Sequence, residues 1–584
     1  MGADDQAGGR EVGAGPLTPD GRIVGVLPDV PAIDKVFDYS VPPSMDPDVR
    51  PGTLVRVSLH GRRVGGWVLG PPAHALASDL APNSGGRRLL PLAKVTGWGP
   101  PEDVIALAEW AAWRWAGRRA SLLGTASPPF AVRGLPPAGP SAGRAEGAAR
   151  IVRIPPAGDV FGYVLEAARS GPALILYPSA VEAANAVRRL RAEGVAVASH
   201  PRDWAQARAG GVSVVGARAA AWAPMPAIAA VVVVDGHDEG YQEERAPTWH
   251  ARDVAIERAR RAGVPCTVLS PCPDLAMTAA VPTVVVPSRS EERAGWPVLD
   301  VVDRRADDPR TGLFSERFAS ALRHHERVVC VLNRKGRARL LACAACGELA
   351  RCERCASALS LVDDGLACSA CGATRPPICL ACGATKMKSL RLGVTRVREE
   401  LEALAGRPVG EVTAETGELP TAPILVGTEA VLHRAPKADL VAFLDFDQEL
   451  LAPRYRAAEQ ALALLARAGR LVGGRHDGGR VLVQTRLPKH EVLDAALHGD
   501  PGRLHGPEAE RRKLLRFPPF AALALVSGPS APELIERIEG IEALGPDDGR
   551  WLLRAPSSKA LADALAAAGR PAGRLRIEVD PLRL

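Results

Sequence analysis

Residues 343–382 read CAACGELARCERCASALSLVDDGLACSACGATRPPICLAC, and this stretch carries the strongest chemical signal in the chain. Eight of the eleven cysteines lie here, as four Cys-x2-Cys pairs separated by five, twelve and seven residues. Two such pairs can surround one metal ion with four thiolates, so the stretch predicts two tetrahedral zinc sites. No coordination position is left for a substrate water. We therefore expect structural sites whose metal contributes to the folding of the insert.

The spacing leaves open which pairs share a metal. One arrangement joins the pairs that flank a hairpin-like segment of twelve residues, as in a zinc ribbon, and the outer pairs then close around it. The inner set would comprise Cys352, Cys355, Cys368 and Cys371. The outer set would comprise Cys343, Cys346, Cys379 and Cys382. A redox role would use one exposed pair rather than four, and the three other cysteines are predicted core residues: Cys266, Cys272 and Cys330.

On both sides of the insert, short apolar runs alternate with helix-like stretches. Examples of the runs are 173–177, 231–234, 328–332, 424–426 and 441–444. Such alternation favours parallel sheets covered by helices, and the length suits two such domains. The insert interrupts the second of them.

The remaining chain divides by composition into further segments. Residues 1–20 are predicted to be a disordered arm, and 131–148 to be a linker rich in Pro, Gly and Ala. The predicted fold class is thus multidomain α/β. Its domains are 21–100 (β-rich), 101–150 (helix and linker), 151–290 (first α/β lobe), 291–342 with 383–500 (second lobe), 343–382 (zinc insert) and 501–584 (α+β).

Composition limits the classes of function. The formal net charge of +7 permits a polyanionic partner without demanding one. No apolar run approaches the roughly 18 residues that span a bilayer, and the N-terminus lacks a signal-peptide pattern. The sequence therefore predicts a cytoplasmic protein with no membrane partner, in a compartment where clustered cysteines favour metal over disulfides.

The order of these features resembles the PriA (primosomal protein N′) family of replication-restart proteins. Near the start, Phe37-Asp38-Tyr39 and the run 51–57, PGTLVRV, are similar to the family's N-terminal domain, which holds the 3′ end of a nascent leading strand. The resemblance implies a DNA 3′-end pocket formed by Phe37, Asp38, Tyr39, Gly52 and Lys94. An aspartate suits a terminal hydroxyl because it accepts a hydrogen bond and repels a phosphate. The alternative is an aromatic pair at a strand end that flanks an exposed aspartate.

Later motifs extend the resemblance from about residue 22 to the end. They are Asn333-Arg334-Lys335-Gly336 before the insert, then the segments 424–429, 443–447, 457–459, 510–512, 517–520 and 579–581. The resemblance implies two helicase lobes, the nested cysteine pairing described above and two zinc ions per chain. The family's winged-helix domain is expected to be absent, because 131–150 is far shorter than the roughly 40 residues that a stable domain needs.

The ATPase motifs of the family are broken in this chain. Where a phosphate loop needs Gly-x4-Gly-Lys-Ser/Thr, residues 155–160 read PPAGDV, with Gly158 and Asp159 but no lysine. After the run 231–234, Asp235-Gly236-His237-Asp238 replaces Asp-Glu-Glu-His, so Asp235 remains without the glutamate that orients water. His237 and Asp238 are predicted to belong to a polar cluster rather than a metal pair. The sequence predicts a degenerate nucleotide site and no catalytic residue.

The resulting hypothesis is a fork-recognition protein without helicase activity of its own. It would bind forked or branched DNA, promote assembly of the primosome proteins and reload the replicative helicase. One alternative is an active ATP-dependent 3′-to-5′ DNA helicase. Another is a zinc-ribbon adaptor that acts through proteins and does not bind DNA.

Overall fold

The structure, a computed structural model, describes residues 17–18, 21–31, 33–71, 89–139, 146–307, 312–332, 341–362, 365–368, 371–389, 394–413 and 416–584. The chain forms two compact units. The first comprises Met1–Ala148, Val164–Val232 and Gly240–Cys266, and the second comprises Ala149–Tyr163, Val233–Glu239 and Thr267–Leu584. Among the described residues, no helix combines the length and the apolar character needed to cross a lipid bilayer.

The first unit opens with a six-stranded antiparallel sheet in the order β1-β2-β5-β4-β6, with β3 paired to β2. Backbone hydrogen bonds join Leu90 and Leu92 to Ser40 of β3, and Ala93 to Arg56 of β4, so the sheet curls towards a barrel. Alternate valines of these strands fill its interior. The strands are β1 Leu17–Thr18, β2 Gly21–Pro28, β3 Phe37–Ser40, β4 Leu54–Leu59, β5 Arg62–Gly70 and β6 Lys94–Gly97. Two helices follow, α1 Glu102–Arg114 and α2 Arg119–Ala126.

The next segment alternates strands and helices. Its strands are β7 Ala149–Arg153, β8 Ala173–Leu176, β9 Val197–Ser199, β10 Ser213–Gly216, β11 Ala230–Val233, β12 Cys266–Ser270 and β13 Val284–Val285. Its helices are α3 Val160–Ser170, α4 Ala180–Ala192, α5 Trp204–Ala209, α6 Ala251–Ala262 and α7 Leu275–Ala280. Within the first unit the strand order is β11-β8-β10-β9, and β10 runs parallel to both neighbours. Within the second unit the order is β13-β7-β12, and β13 runs parallel to β7.

The second unit contains a six-stranded sheet whose paired strands are all parallel, in the order β14-β24-β23-β15-β22-β21. Apolar residues on both faces of the strands pack into two cores, as a sheet covered on both sides requires. The strands, with those of the insert, are β14 Val298–Asp303, β15 Val328–Val331, β16 Leu341–Cys343, β17 Ser360–Val362, β18 Gly365–Ala367, β19 Thr374–Arg375, β20 Met387–Ser389, β21 Val409–Val412, β22 Ile424–Gly427, β23 Leu440–Phe443 and β24 Arg480–Thr485. The helices are α8 Arg289–Gly295, α9 Glu316–His324, α10 Val394–Ala405, α11 Ala430–Arg434, α12 Asp447–Leu450 and α13 Ala457–Val472.

The insert leaves the lobe after β15 and contains two small antiparallel sheets. One pairs β16 with β20 and so closes the base of the insert, and the other is the ribbon β17-β18-β19. Its small core consists of Leu341, Leu359 and Leu366 with several cysteines.

The last segment is α+β. Helices α14 Glu491–His498 and α15 Gly502–Leu515 precede a four-stranded antiparallel sheet in the order β26-β27-β25-β28. Its elements are β25 Ala522–Ser527, α16 Ala531–Arg537, β26 Glu542–Asp547, β27 Arg550–Ala555, α17 Ser558–Ala568 and β28 Arg576–Val579.

The predicted fold class is confirmed, with a β-rich start, parallel α/β sheets, a cysteine-rich insert and an α+β end. The apolar runs chosen from the sequence coincide with strands β8, β11, β15, β22 and β23. The motif at 333–336 lies outside the described residues, as do residues 1–16 and 19–20 of the arm predicted at 1–20. Leu17–Thr18 of that arm are not disordered but form β1, paired with β2. The exact domain boundaries remain predictions.

Candidate functional site

The outer cysteine set comes together at the base of the insert. The Sγ atoms of Cys343 and Cys382 are 3.6 Å apart, as are those of Cys346 and Cys379. Cys343 and Cys379 are buried, whereas Cys346 and Cys382 are exposed. Hydrogen bonds from the backbone N–H groups of Cys346 and Ala345 help to lower the pKa of Cys343 to about 7. A thiolate is the form that binds a metal.

The inner set gathers at the ends of the ribbon. The Sγ atoms of Cys352 and Cys371 are 3.6 Å apart, and those of Cys355 and Cys368 are 3.4 Å apart. The pKa of Cys355 is lowered to about 5, mainly because its sulfur is hydrogen-bonded to the Cys368 thiol. This set is more buried than the outer one, because Cys352 and Cys368 lie in the small core of the insert.

Both sets have the geometry of a tetrahedral thiolate shell. In each, the four sulfur atoms all lie within 4.8 Å of one another. A Zn–S bond of about 2.3 Å places tetrahedral sulfurs about 3.8 Å apart, whereas a disulfide would hold them at about 2.05 Å. The observed separations fit one four-coordinate metal per set, in the nested pairing. Among the described residues these two sets are the clusters that could hold a metal ion.

The same backbone turn builds each Cys-x2-Cys pair. The backbone N–H of the first cysteine of each pair donates to the residue five positions later, and its carbonyl accepts from the residue four positions later. That fourth residue adopts a left-handed conformation in every pair, with φ between 62° and 75°. The residues are Gly347, Ala356, Gly372 and Gly383. Glycine takes this conformation without strain and alanine does not, which explains three of the four identities.

Asp235, the one retained residue of the predicted degenerate nucleotide site, is bound by an arginine. It lies directly after β11, and the residue as a whole is 3% exposed. Its two carboxylate oxygens accept hydrogen bonds from the two terminal nitrogens of Arg470 on α13. The Nη2–Oδ1 distance is 2.9 Å. Burial opposes ionisation of Asp235, but the Arg470 charge and its hydrogen bonds outweigh it and lower the pKa of this carboxyl to about 2. The carboxylate that would hold a metal ion is thus neutralised by protein.

A second pair lies beside the first. Arg467, three residues before Arg470 on α13, lies 3.1 Å from the Asp238 carboxylate. The Nδ1 atom of His237 is 2.9 Å from the hydroxyl of Ser270. His237 and Asp238 therefore belong to a polar cluster at the carboxyl ends of the strands, as the sequence predicted, and do not form one of the metal-type clusters of the described residues.

The segment in place of the phosphate loop uses its own backbone donors. The N–H of Gly158 donates to the Pro155 carbonyl at 2.8 Å, and that of Ala157 to the Gly295 carbonyl at 3.1 Å. Asp159 accepts from the Phe161 N–H at 3.0 Å. Phosphate loops bind anions with such N–H groups, so this segment offers few donors and one repelling carboxylate.

The five predicted 3′-end residues occupy different positions in the N-terminal barrel. Tyr39 lies in the barrel core and donates its hydroxyl to the Ser58 carbonyl at 3.0 Å, and Phe37 packs partly against the same core. Asp38 points to the opposite face of β3, since side chains alternate along a strand. Gly52 has φ of 89° and a Cβ there would lie 1.8 Å from the Pro100 carbonyl, so the turn itself requires glycine. Lys94 is exposed on β6.

Sequence reasoning missed the roles of Arg467 and Arg470. The segment around them departs from the family motif, and no role was assigned to it. The available signal was the spacing, because residues three apart on an amphipathic helix share one face. Their partners lie more than 200 residues away in sequence, so only the fold identifies them.

Comparison with known proteins agrees with the fold. Residues 25–128 match the PriA 3′ DNA-binding domain family. The probable replication restart protein PriA of Mycobacterium tuberculosis (strain CDC 1551 / Oshkosh) is 29% identical over 86% of each chain. That of Mycobacterium leprae (strain TN) is 28% identical over 94% of each chain. The replication restart protein PriA of Bacillus subtilis (strain 168) is 28% identical over 54% of this chain and 43% of its own. The matched domain and the similarity along most of both mycobacterial chains make this protein similar to the PriA replication restart proteins.

Proposed function

We propose that the protein recognises forked or branched DNA at stalled replication forks and promotes primosome assembly and reloading of the replicative helicase, without hydrolysing ATP. The observation that carries the proposal is the bidentate ion pair between Arg470 and Asp235 in the degenerate nucleotide site. The match of residues 25–128 to a 3′ DNA-binding domain is the second observation that supports the proposal. The chain keeps a recognition domain and a helicase framework, and loses the parts that would drive a motor.

Loss of hydrolysis follows from three features of one site. Phosphoryl transfer to water needs a lysine and backbone donors on the phosphates, a carboxylate on Mg²⁺ and a residue that orients water. Here the loop at 155–158 has two prolines and internally bonded N–H groups. Asp235 is neutralised by Arg470. Gly236 occupies the position of the water-orienting glutamate.

The test is ATP turnover by the purified full-length protein with forked DNA. We expect a rate no higher than that of a mock preparation. The Asp235→Asn variant identifies a contaminant, because its rate would be the same. A wild-type rate that this variant abolishes would overturn the proposal in favour of an active 3′-to-5′ helicase.

DNA recognition is proposed to centre on the strand end at the N-terminal barrel. Asp38 faces away from the core, so its carboxylate can accept a hydrogen bond from a terminal 3′-hydroxyl and would repel a 3′-phosphate. Lys94 is exposed on a strand of the same barrel and can bind phosphate. Phe37 and Tyr39 would support the pocket through the barrel wall, and Gly52 through its turn.

Binding to a model fork, measured by fluorescence anisotropy, tests this role. We expect tighter binding to a fork with a leading-strand 3′-hydroxyl than to one with a 3′-phosphate, and loss of the difference in Asp38→Ala. Asp29→Ala, at an exposed position of the same barrel, is the matched control and should keep the preference. Equal binding of both forks would remove the 3′-end role. Absence of binding at low salt, where phosphate contacts are strongest, would favour a protein adaptor.

The two cysteine sets are proposed to bind one Zn²⁺ each. Zinc suits four thiolates in tetrahedral geometry, and a closed shell has no catalytic position. The metal would fold the insert, whose own apolar core is small. The folded insert would present a surface to the primosome proteins or to a DNA strand.

A further inference from the structure

Two arginines of the first unit converge on one tryptophan. The guanidinium carbon of Arg50 lies 4.1 Å from the ring centroid of Trp98, and that of Arg208 lies 5.2 Å from it. Arg50 is exposed, and Arg208 and Trp98 are half-buried. The three residues come from different parts of the unit: the turn before β4, the segment after β6, and the end of α5. We refer to Arg50, Trp98 and Arg208 as the Trp98 cluster.

Neither guanidinium of this cluster has an acidic partner. The described residues supply no ion pair to Arg50 or Arg208, and the Nε atom of Arg208 is buried without a hydrogen-bond partner. Elsewhere in the chain many arginines are paired with carboxylates, as Arg169 is with Glu193 at 2.8 Å. A guanidinium charge without a carboxylate in an ion pair favours an anionic ligand, and Arg50 is exposed enough to meet one.

The nearest carboxylate does not supply that anion. Asp103 lies 3.6 Å from Arg258, a buried arginine behind the cluster, and its side chain is otherwise 55% exposed. Burial lowers the pKa of Arg208, Asp103 raises it and the Arg50 charge lowers it again, which shows that the two cations repel each other. Three guanidinium groups and one carboxylate leave an excess positive charge at this place.

The position of the cluster indicates which anion fits. Arg50 and Trp98 lie within 25–128, the range that matches the 3′ DNA-binding domain. Arg50 begins the turn that contains Gly52, and Gly52 lies against Pro100, two residues after Trp98. The Trp98 cluster therefore adjoins the predicted 3′-end pocket. Guanidinium groups bind phosphate oxygens in pairs, and the Trp98 ring keeps the two groups close together.

We propose that Arg50 and Arg208 bind a phosphodiester group of the DNA strand whose end enters the N-terminal barrel, while the Trp98 indole, with both guanidinium groups over its ring, holds them in place. This inference rests on the proposed function and adds a phosphate-binding site to it. The bound phosphate accepts hydrogen bonds from the terminal nitrogens of both guanidinium groups and relieves their repulsion.

The experiment measures fork affinity by fluorescence anisotropy between 50 and 300 mM salt for wild type, Arg50→Gln and Arg208→Gln. Each variant removes one phosphate contact, so we expect the slope of log K against log salt to become shallower by about 0.7 to 0.9. Affinity at low salt should fall about tenfold in each. Arg169→Gln is the control, since it removes the same charge from an exposed arginine that Glu193 already neutralises, and it should leave the slope unchanged.

A second measurement identifies the phosphate. Forks that carry one uncharged methylphosphonate linkage, moved stepwise from the 3′ end, should bind wild type less tightly when the linkage reaches the site. Arg208→Gln should not respond to that linkage. Circular dichroism and thermal unfolding establish that the variants fold, and Arg50→Gln changes only an exposed side chain.

The outcomes are distinct. Forks that bind Arg50→Gln and Arg208→Gln as tightly and as salt-dependently as Arg169→Gln would overturn the phosphate site while leaving fork recognition intact. A wild type that fails to bind any fork at 50 mM salt would overturn the proposed function and this inference together. Variants that keep fork binding but lose binding to a poly-glutamate peptide would assign the cluster to an acidic protein, which also overturns the proposal.

Discussion

At the scale of single residues, the contact between Arg470 and Asp235 has the greatest consequence for function. A buried carboxylate needs a cation, and in the nucleotide site predicted at this position from the sequence a bound metal ion would supply part of that charge. Here Arg470 supplies that positive charge permanently. The Arg470 side chain is 30% exposed, and the Asp235 side chain that it contacts is 5% exposed. The site is therefore electrostatically complete without nucleotide. The pair of Arg470 and Asp235, on which the proposed loss of ATP hydrolysis rests, should therefore also stabilise the folded protein.

Removing the arginine should destabilise the second unit. In Arg470→Gln the Asp235 carboxylate stays buried without its cation, and we expect a loss of about 3 kcal/mol in the free energy of unfolding. Urea unfolding with matched slopes measures it. Arg317→Gln breaks a pair whose arginine is 63% exposed and should cost less than about 1 kcal/mol. Equal losses in the two variants would show that Asp235 does not depend on Arg470.

The same pair predicts a pH dependence. The pKa of Asp235 is about 2 in the folded protein, against about 3.9 for an unperturbed aspartate. Because the folded pKa is the lower one, the stabilisation is fully present above about pH 4 and is lost as the pH falls from about 4 towards 2. Unfolding of wild type and Asp235→Asn, compared at pH 5 and pH 3, should show their difference shrink by about 1 to 2 kcal/mol. A difference that is constant with pH would contradict the assignment.

At the scale of elements, the insert is built from four copies of one turn, which form two four-cysteine clusters that could each hold a metal ion. Neither small sheet of the insert has more than three strands, and the core beneath them contains few large apolar side chains. Such a domain needs a metal to remain folded. With the proposed metal bound, the local turn and the long-range pairing of turns would stabilise each other.

Zinc content tests the two sites separately. Metal analysis of the purified protein should give two zinc ions per chain, one for each cysteine set. Cys343→Ser and Cys368→Ser should each lose at least one, and Cys368→Ser should disturb the insert more because its site lies in the core. Cys330→Ala changes a buried cysteine in β15 and should retain both ions. Full zinc content in either cluster variant would refute that cluster as a site.

The left-handed residue of each turn gives a finer prediction. Ala356 holds φ of 62° where the three other turns have glycine. Ala356→Gly should remove about 1 kcal/mol of strain and raise the apparent zinc affinity about fivefold, as measured by chelator competition. Gly372→Ala is the reverse change at φ of 74°, with no atom within 4 Å of the new Cβ, and should lower the affinity by a similar factor. A zinc affinity that falls in Ala356→Gly and rises in Gly372→Ala would exclude backbone strain as the cause.

At the scale of the whole molecule, we expect that nucleotide does not change the stability of the protein. A ligand at a hundred times its Kd stabilises a protein by about 2.7 kcal/mol. Since the loop at 155–158 and Asp235 are both engaged by protein groups, we expect millimolar Mg-ATP to leave Tm unchanged. Forked DNA should raise it. A rise with Mg-ATP that Arg470→Gln enlarges would show instead that the arginine competes with nucleotide.

The sequence by itself determined whatever depends on neighbours along the chain. Apolar runs of four or five residues specify buried parallel strands, and Cys-x2-Cys spacing specifies a metal-binding turn. The missing lysine and the prolines at 155–156 predict a broken phosphate loop from the sequence alone. These signals are local because backbone conformation and ligand type act over a few residues.

The tertiary structure decided whatever depends on residues distant in sequence. It selected the nested cysteine pairing, since a hairpin between the inner pairs brings the outer ones together. It placed Tyr39 in the core rather than in an open pocket, and joined Arg470 to Asp235 across 235 positions. No periodicity encodes such contacts, because they arise only when the packing of apolar faces has fixed which strand ends and which helix face meet.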